Sequence, residues 1–190
     1  MLIFASITDN SPVPSKLEIE DSLILGVANG NQAAFTLLYK LTKQSIYAYA
    51  LSILRNPFDA EDILQDTFLK LREAAHLYHP HKKALSWIFT ITKNLCLMKL
   101  RRQNYLTFQP IDEHDLESSL NEISDFEDRL VLKTALLCLS DTECQIITLH
   151  AVTGWKHREI AELLDLPVST VLSKYRRGIK KLKTELEGKL

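Results

Sequence analysis

Residues 157–182, HREIAELLDLPVSTVLSKYRRGIKKL, decide the reading of this chain. They divide into two short helical patterns with a tight break between them. Arg158 to Leu164 carries the apolar residues Ile160, Ala161, Leu163 and Leu164, and Asp165-Leu166 makes the turn. Pro167 suits the first position of a new helix, where its missing N–H costs nothing. From there, at about 100° per residue, Val168, Val171, Leu172, Tyr175, Ile179, Leu182 and Leu186 share one side. Thr170, Ser173, Lys174, Arg177 and Lys181 share the opposite side. That second side combines hydroxyls with cations, the groups a helix in the major groove uses on base edges and phosphates. A solvated basic face on a packed helix has the same pattern. The short turn and the cation-rich second helix favour a helix-turn-helix.

Composition sets the frame around this motif. The 190 residues are enough for one domain or two small ones. With 46% hydrophobic and 25% charged residues the chain reads as globular and soluble, and only 5 Gly and 6 Pro, without β-branched alternation, predict mostly helix. The net charge of −1, taken as a sum, argues against a nucleic-acid partner. Its distribution says otherwise. Residues 68–102 hold Lys70, Arg72, Lys82, Lys83, Lys93, Lys99, Arg101 and Arg102 against the single acid Glu73, whereas residues 103–128 hold eight acids and neither Lys nor Arg. A basic block, an acidic block and a second basic block follow one another.

Cys96, Cys138 and Cys144 lie in helical patterns without a CxxC spacing, which fits reduced thiols in a cytoplasm. The start, MLIFASITDN, lacks the cationic segment and apolar run of a signal peptide, and no run approaches the roughly 20 apolar residues of a membrane span. No membrane insertion is expected. His79-Pro80-His81 is the one close histidine pair and reads as a loop, with no further metal ligand nearby. No metal or cofactor is expected. The chain shows no nucleophile–base pair and no phosphate-binding glycine loop, so a small helical enzyme has no support.

In chain order, residues 1–20 read as a flexible lead with Pro12 and Pro14. A short helix over 21–28 ends at Asn29-Gly30, and Asn31 can cap a long helix to about Arg55, broken by Asn56-Pro57. Asp59 can cap a third helix, with Glu61 and Asp62 in its first turn and Ile63, Thr67, Phe68, Leu71 and Ala75 inward. Asp62, Gln65, Asp66 and Leu69 face the other way, as plain surface or as a dock for a basic partner. After the Tyr78–Lys83 turn a fourth helix runs over 84–102. Trp87, Ile88, Ile91, Leu95 and Met98 share one face; Thr90, Lys93, Asn94, Leu97 and Arg101 share the other. Amide and cationic groups beside a basic loop suit single-stranded bases, while Trp87 reads equally as a core residue. Residues 103–125, with Pro110, read as a linker. A helix follows over about 128–139, and Ser140-Asp141-Thr142-Glu143 is a capping box for a helix ending near Val152, before Gly154.

Four stretches in this order resemble the sigma factors of bacterial RNA polymerase, in the small extracytoplasmic-function (ECF) group that has only regions two and four. GNQAAFTLLYK resembles the start of region two. DAEDILQDTFLKL is similar to the helix that docks on the polymerase clamp. LSWIFTITKNLCLMKLRR is similar to the helix that opens the minus-ten element, and HREIAELLDLPVSTVLSKYRR to the region-four helix-turn-helix. The likeness covers about residues 22–102 and 126–186.

It implies an all-α protein of two small helical domains: a lead over 1–20, region two over 21–102, an acidic linker over 103–125 and region four over 126–190. It implies that Asp62, Gln65, Asp66 and Leu69 bind the clamp, and that the Tyr78–Lys83 loop, including Lys82 and Lys83, with Asn94 and Arg101 holds the unpaired minus-ten strand. Thr170, Ser173, Lys174, Arg176 and Arg177 would meet the minus-thirty-five duplex, Arg176 lying at the edge of the face drawn by periodicity. Core RNA polymerase, promoter DNA and an anti-sigma factor are the implied partners, and the linker would thread the polymerase cleft. Met98 stands where the family usually has Asp, and Cys144 where it usually has Arg. Leu172 and Ile179 replace residues that are often basic, and Lys174 replaces an Arg and lacks its bidentate reach to guanine. The rival reading is a free-standing helix-turn-helix regulator, which leaves the first basic block and the Asp62–Leu69 surface without a purpose.

Overall fold

The computed structural model describes residues 16–81, 83–103 and 133–187. All regular elements among them are helical. They are α1 (Asp21–Ala28), α2 (Gln32–Leu54), α3 (Pro57–Ala74) with a 3-10 turn at Ala75–Leu77, α4 (Ala84–Gln103), α5 (Asp141–Thr153), α6 (His157–Leu164) and α7 (Val168–Glu187). Residues 133–138 are also helical. The expected lead over 1–15, nearly all of the acidic linker, the start of the helix expected at 128–139 and Lys82 lie outside the described residues.

The first unit is built on α2, α3 and α4. Tyr49 and Phe89 meet at the centre with ring centroids 5.3 Å apart, among fully buried Leu38, Ile46, Leu71 and Ile88. Removing one such side chain from water is worth about 1.5–3 kcal/mol. Asn31 starts α2 by accepting the Ala33 and Ala34 N–H groups at 2.9 and 3.1 Å. Gly30 just before it has φ 76°, a left-handed conformation open to glycine. The start of α3 differs from the sequence reading. Asn56, not Asp59, is its cap, with Oδ1 accepting the Asp59 N–H at 3.0 Å, and Pro57 is the first helical residue. Proline there gives up an N–H that would have no helical partner, so the dipeptide that breaks α2 also opens α3.

The second unit packs α7 across α5 and α6. Glu143 closes the predicted capping box by accepting the Ser140 N–H at 3.2 Å. Asp165 takes a left-handed φ of 56°, and the Leu166 N–H returns to the Ala161 carbonyl at 3.0 Å, forming the tight turn. Pro167 sits one position earlier than expected. Its carbonyl accepts the Thr170 and Val171 N–H groups, so it caps α7 instead of being its first residue.

Val171, Gly178, Leu182 and Leu186 form the buried stripe of α7, but Val168 and Leu172, expected on that side, are 40% and 36% exposed. They lie at the margin of the stripe, in the first turns of α7. Gly178 is where the helices cross closely: a Cβ there would stand 2.5 Å from Ile147 Cδ1.

The two units touch. Phe89 of α4 packs on Trp155 at 5.3 Å, and the Ser45 hydroxyl donates to the Val152 carbonyl at 3.1 Å. Residues 16–20, expected within the flexible lead, make specific contacts. Ile19 is buried, the Leu17 N–H donates to the Thr153 carbonyl at 2.9 Å, and Lys16 pairs with Glu159 at 2.9 Å.

Candidate nucleic-acid interface

Helix α7 presents Ser173, Arg176 and Arg177 to solvent, with Thr170 and Lys174 half-buried beside them. One turn separates Ser173 from Arg177. The guanidinium Nε donates to the Ser173 carbonyl at 3.3 Å, and Nη2 lies 3.5 Å from the Ser173 hydroxyl. These contacts hold the cation along the exposed face. Lys181, assigned to the same face by periodicity, is drawn off it. Its ammonium lies 2.8 Å from Glu143 Oε2, tying α7 to the cap of α5. Burial works to raise the Glu143 carboxyl, but Lys181 and Ser140 outweigh it and hold it below the ordinary carboxylate range.

Behind this face lies a ring cluster that the sequence did not announce. His150 and His157 stack at 5.1 Å, and Tyr175 stands edge-on to both, at 5.1 and 4.6 Å. His150 Nδ1 lies 2.7 Å from the Trp155 carbonyl. A carbonyl only accepts, so that nitrogen carries the proton. His157 Nε2 is buried without a partner. Burial, the neighbouring His150 and Arg176 together push His157 below its ordinary value. The spacing from His150 to His157 crosses the Gly154 break, so no helical period could have paired them.

On α4 the expected second face is present. Thr90, Asn94, Leu97 and Arg101 are exposed. Lys93 is half-buried, its ammonium donating to the Leu163 carbonyl of α6 at 2.7 Å, and Lys83 pairs with Glu162 at 3.2 Å. Trp87 is half-buried against Tyr78, with centroids 5.1 Å apart. The Tyr78 hydroxyl donates to Asp21, which ties the start of the basic loop to α1.

A third surface runs between α3 and α4. Asp62, Gln65, Asp66, Leu95 and Met98 line a groove of about 440 Å³. Leu69 stands on the exposed face of α3, 62% exposed. Lys99 bridges Asp59 and Asp62 at 2.6 and 2.9 Å, so Asp62 is already half-neutralised while Gln65 and Asp66 remain open to a partner. Among the described residues no cluster of His, Cys, Asp and Glu could hold a metal ion, and no helix is long and apolar enough to cross a membrane.

Two cationic helix faces lie on two helical units, one of them in a helix-turn-helix. Comparison with known proteins gives the family. Residues 38–105 match the model of sigma-70 region 2, and residues 129–182 match that of sigma-70 region 4, together more than half the chain. The ECF RNA polymerase sigma factor SigW of Bacillus subtilis is 27% identical over 173 residues, covering 84% of this chain and 92% of that protein. The RNA polymerase sigma factor CarQ of Myxococcus xanthus is 29% identical over 164 residues, covering 85% and 94%. Among solved structures, CnrH in complex with the cytosolic domain of CnrY superimposes with a TM-score of 0.63 at 23% identity, covering 89% of this chain and 97% of that one. The sigma factor RpoE bound to the anti-sigma factor NepR, from Bartonella quintana, gives 0.62 at 19%, covering 80% and 96%. At such identities these two establish the fold alone. The chain belongs to the sigma-70 family, in its ECF group, as an all-α protein with regions two and four.

Proposed function

We propose that this protein binds core RNA polymerase in the cytoplasm, brings it to a defined set of promoters and helps to melt them, with no catalytic chemistry of its own. The observation that carries the reading is the presence of three chemically distinct exposed surfaces on one chain. The α7 face, with Thr170, Ser173, Lys174, Arg176 and Arg177, has the hydroxyls and cations for a major groove at the minus-thirty-five element. The α4 face, with Asn94, Arg101 and the lysines of the preceding loop, suits an unpaired minus-ten strand. The Asp62, Gln65, Asp66 and Leu69 surface offers acid and exposed leucine to a basic partner, the polymerase clamp.

Control by an anti-sigma partner fits the two structural neighbours, both solved with a second protein bound, one of them titled an anti-sigma factor. The test is direct. The chain should co-purify with core polymerase and support transcription from a subset of a randomised promoter pool. A free-standing helix-turn-helix regulator would bind duplex DNA and ignore the polymerase.

A further inference from the structure

We propose that duplex DNA on the α7 face binds together with a proton, taken up at His157 in the ring cluster behind that face. The chain then holds duplex more tightly as the pH falls. The inference rests on the α7 reading above and concerns its regulation.

The cluster joins three helices. His157 is the first residue of α6, His150 lies in the last turn of α5, and Tyr175 comes from α7. Tyr175 stands edge-on to both imidazoles, and the next residue, Arg176, is exposed at the edge of the α7 face. Face and cluster therefore share one turn of α7.

In the free chain the surroundings of His157 oppose a positive charge on its ring. Nε2 is buried without a hydrogen-bond partner, so a proton there is not stabilised by an acceptor. The start of a helix carries partial positive charge, which disfavours a cation. Burial acts most strongly, and the charges of His150 on α5 and Arg176 on α7 add to it. Burial also pushes the Tyr175 phenol up, so that ring stays uncharged. On α6 itself Lys156 and Arg158 flank the ring. Glu159 is engaged at both oxygens, one by Lys16 and the other by the Lys156 N–H, each at 2.9 Å. From α4, Lys83 and Lys93 meet the far end of α6, at Glu162 and the Leu163 carbonyl.

A phosphate changes this balance. Arg176 offers its guanidinium to solvent, and a DNA phosphate seated on it cancels the cationic field that reaches His157. Duplex thereby moves His157 back towards its ordinary value of 6.5. The coupling is reciprocal: DNA that favours the proton is favoured by it. The gain in affinity is absent well above 6.5 and complete below the lowered value of the free chain. Burial and His150 persist in the complex, so the recovery is partial and the gain is about threefold.

The test uses the full-length chain and a labelled duplex of about twenty base pairs and arbitrary sequence, at low salt, where phosphate contacts dominate. Fluorescence anisotropy reads affinity at about pH 7.5 and about pH 6, on either side of the histidine range. Nuclear magnetic resonance follows the His157 ring, assigned by its proximity to the Tyr175 ring. Far-UV circular dichroism checks the helices at each pH. The wild type should bind about threefold more tightly at the lower pH, beyond any change in His157→Gln. The other histidines titrate in both proteins and cancel. The His157 titration midpoint should rise when duplex is added. Arg176→Gln should raise that midpoint in the free chain and abolish the further rise with duplex.

A His157 midpoint that stays put on saturation with duplex overturns the linkage, as do equal pH profiles in wild type and His157→Gln. A rise of the same size in Arg176→Gln overturns the route through Arg176. If His157→Gln loses helix, the resonance of the wild type and of Arg176→Gln decides the matter without it. Binding that neither Arg176→Gln nor Arg177→Ala weakens sinks the α7 reading itself. Binding that they weaken, with no shift at His157, sinks the linkage alone.

Discussion

Lys181 reaches back from the exposed side of α7 to Glu143, and the two side chains meet at 2.8 Å over the cap of α5. The pair joins α7 to the helix beneath it. Lys181→Met should therefore lower stability by about 1–2 kcal/mol, the worth of a charge-assisted hydrogen bond, in a denaturant titration. An unchanged midpoint would mean that solvent screens the pair.

The half-buried His157 gives a pH dependence. The folded chain holds His157 below its ordinary value of 6.5. Between those two values the unfolded chain binds more protons, so the contribution of His157 is present above 6.5 and lost as pH falls through the lowered value. The groups around His157 are His150, Tyr175 and Arg176. Stability should fall as pH drops through 6.5 and below it, and His157→Gln should flatten that stretch of the profile. Equal slopes in both proteins would remove His157 from the account.

At Gly178 two effects oppose each other. Alanine is the better helix former by about 1 kcal/mol, but its Cβ would stand 2.5 Å from Ile147 Cδ1. The clashing atom is the tip of a side chain, so it can give way, yet Glu143 and Leu139 close the space at 3.5 and 3.6 Å. Overpacking typically costs about 1–3 kcal/mol, and Gly178→Ala should come out destabilising by about 1 kcal/mol. A raised melting temperature would show that the crossing relaxes freely.

The two DNA-reading faces proposed above should fail at different steps. With polymerase present, Arg177→Ala should lose binding to closed duplex promoter, at about 1–3 kcal/mol for a base contact, and be partly rescued on a pre-melted template. Asn94→Ala should keep duplex binding and lose capture of a single-stranded minus-ten oligonucleotide. If Asn94→Ala matches wild type on that probe while Arg177→Ala abolishes all DNA binding, the free-standing regulator gains.

On α3, Asp66→Arg and Leu69→Ala should each weaken polymerase binding in a pull-down without loss of helix, because both residues are exposed. The charge reversal should cost more than the truncation, since it adds repulsion to lost attraction. Unchanged affinity for both would remove this surface from the polymerase contact.

The helices were legible where periodicity and punctuation agree. Asn29-Gly30, Ser140 to Glu143 and the turn at Asp165 each mark a boundary by their own chemistry. Two details at proline were misplaced by a position or more, because Pro57 and Pro167 fit the start of a helix as well as the stop of the one before. Gly178 escaped notice for a different reason. A search for apolar side chains passes over a residue that has none, and the stripe on α7 runs on through Tyr175, Ile179 and Leu182 without needing it. The engagement of Lys93 and Lys181 by partners on other helices could not be read at all, since helical spacing says which way a cation points and not what meets it.

Because the last turns of α5 and α6 borrow hydrogen-bond donors from Leu17, Ser45 and Lys93, the second unit does not own all of its stability. Amides of these turns should exchange with solvent together with those of α2 and α4, as one cooperative block. Heating the free chain should give a single calorimetric transition. Once a partner holds the units apart, the same helices should melt in two steps, the second unit first, its helix ends bare to water.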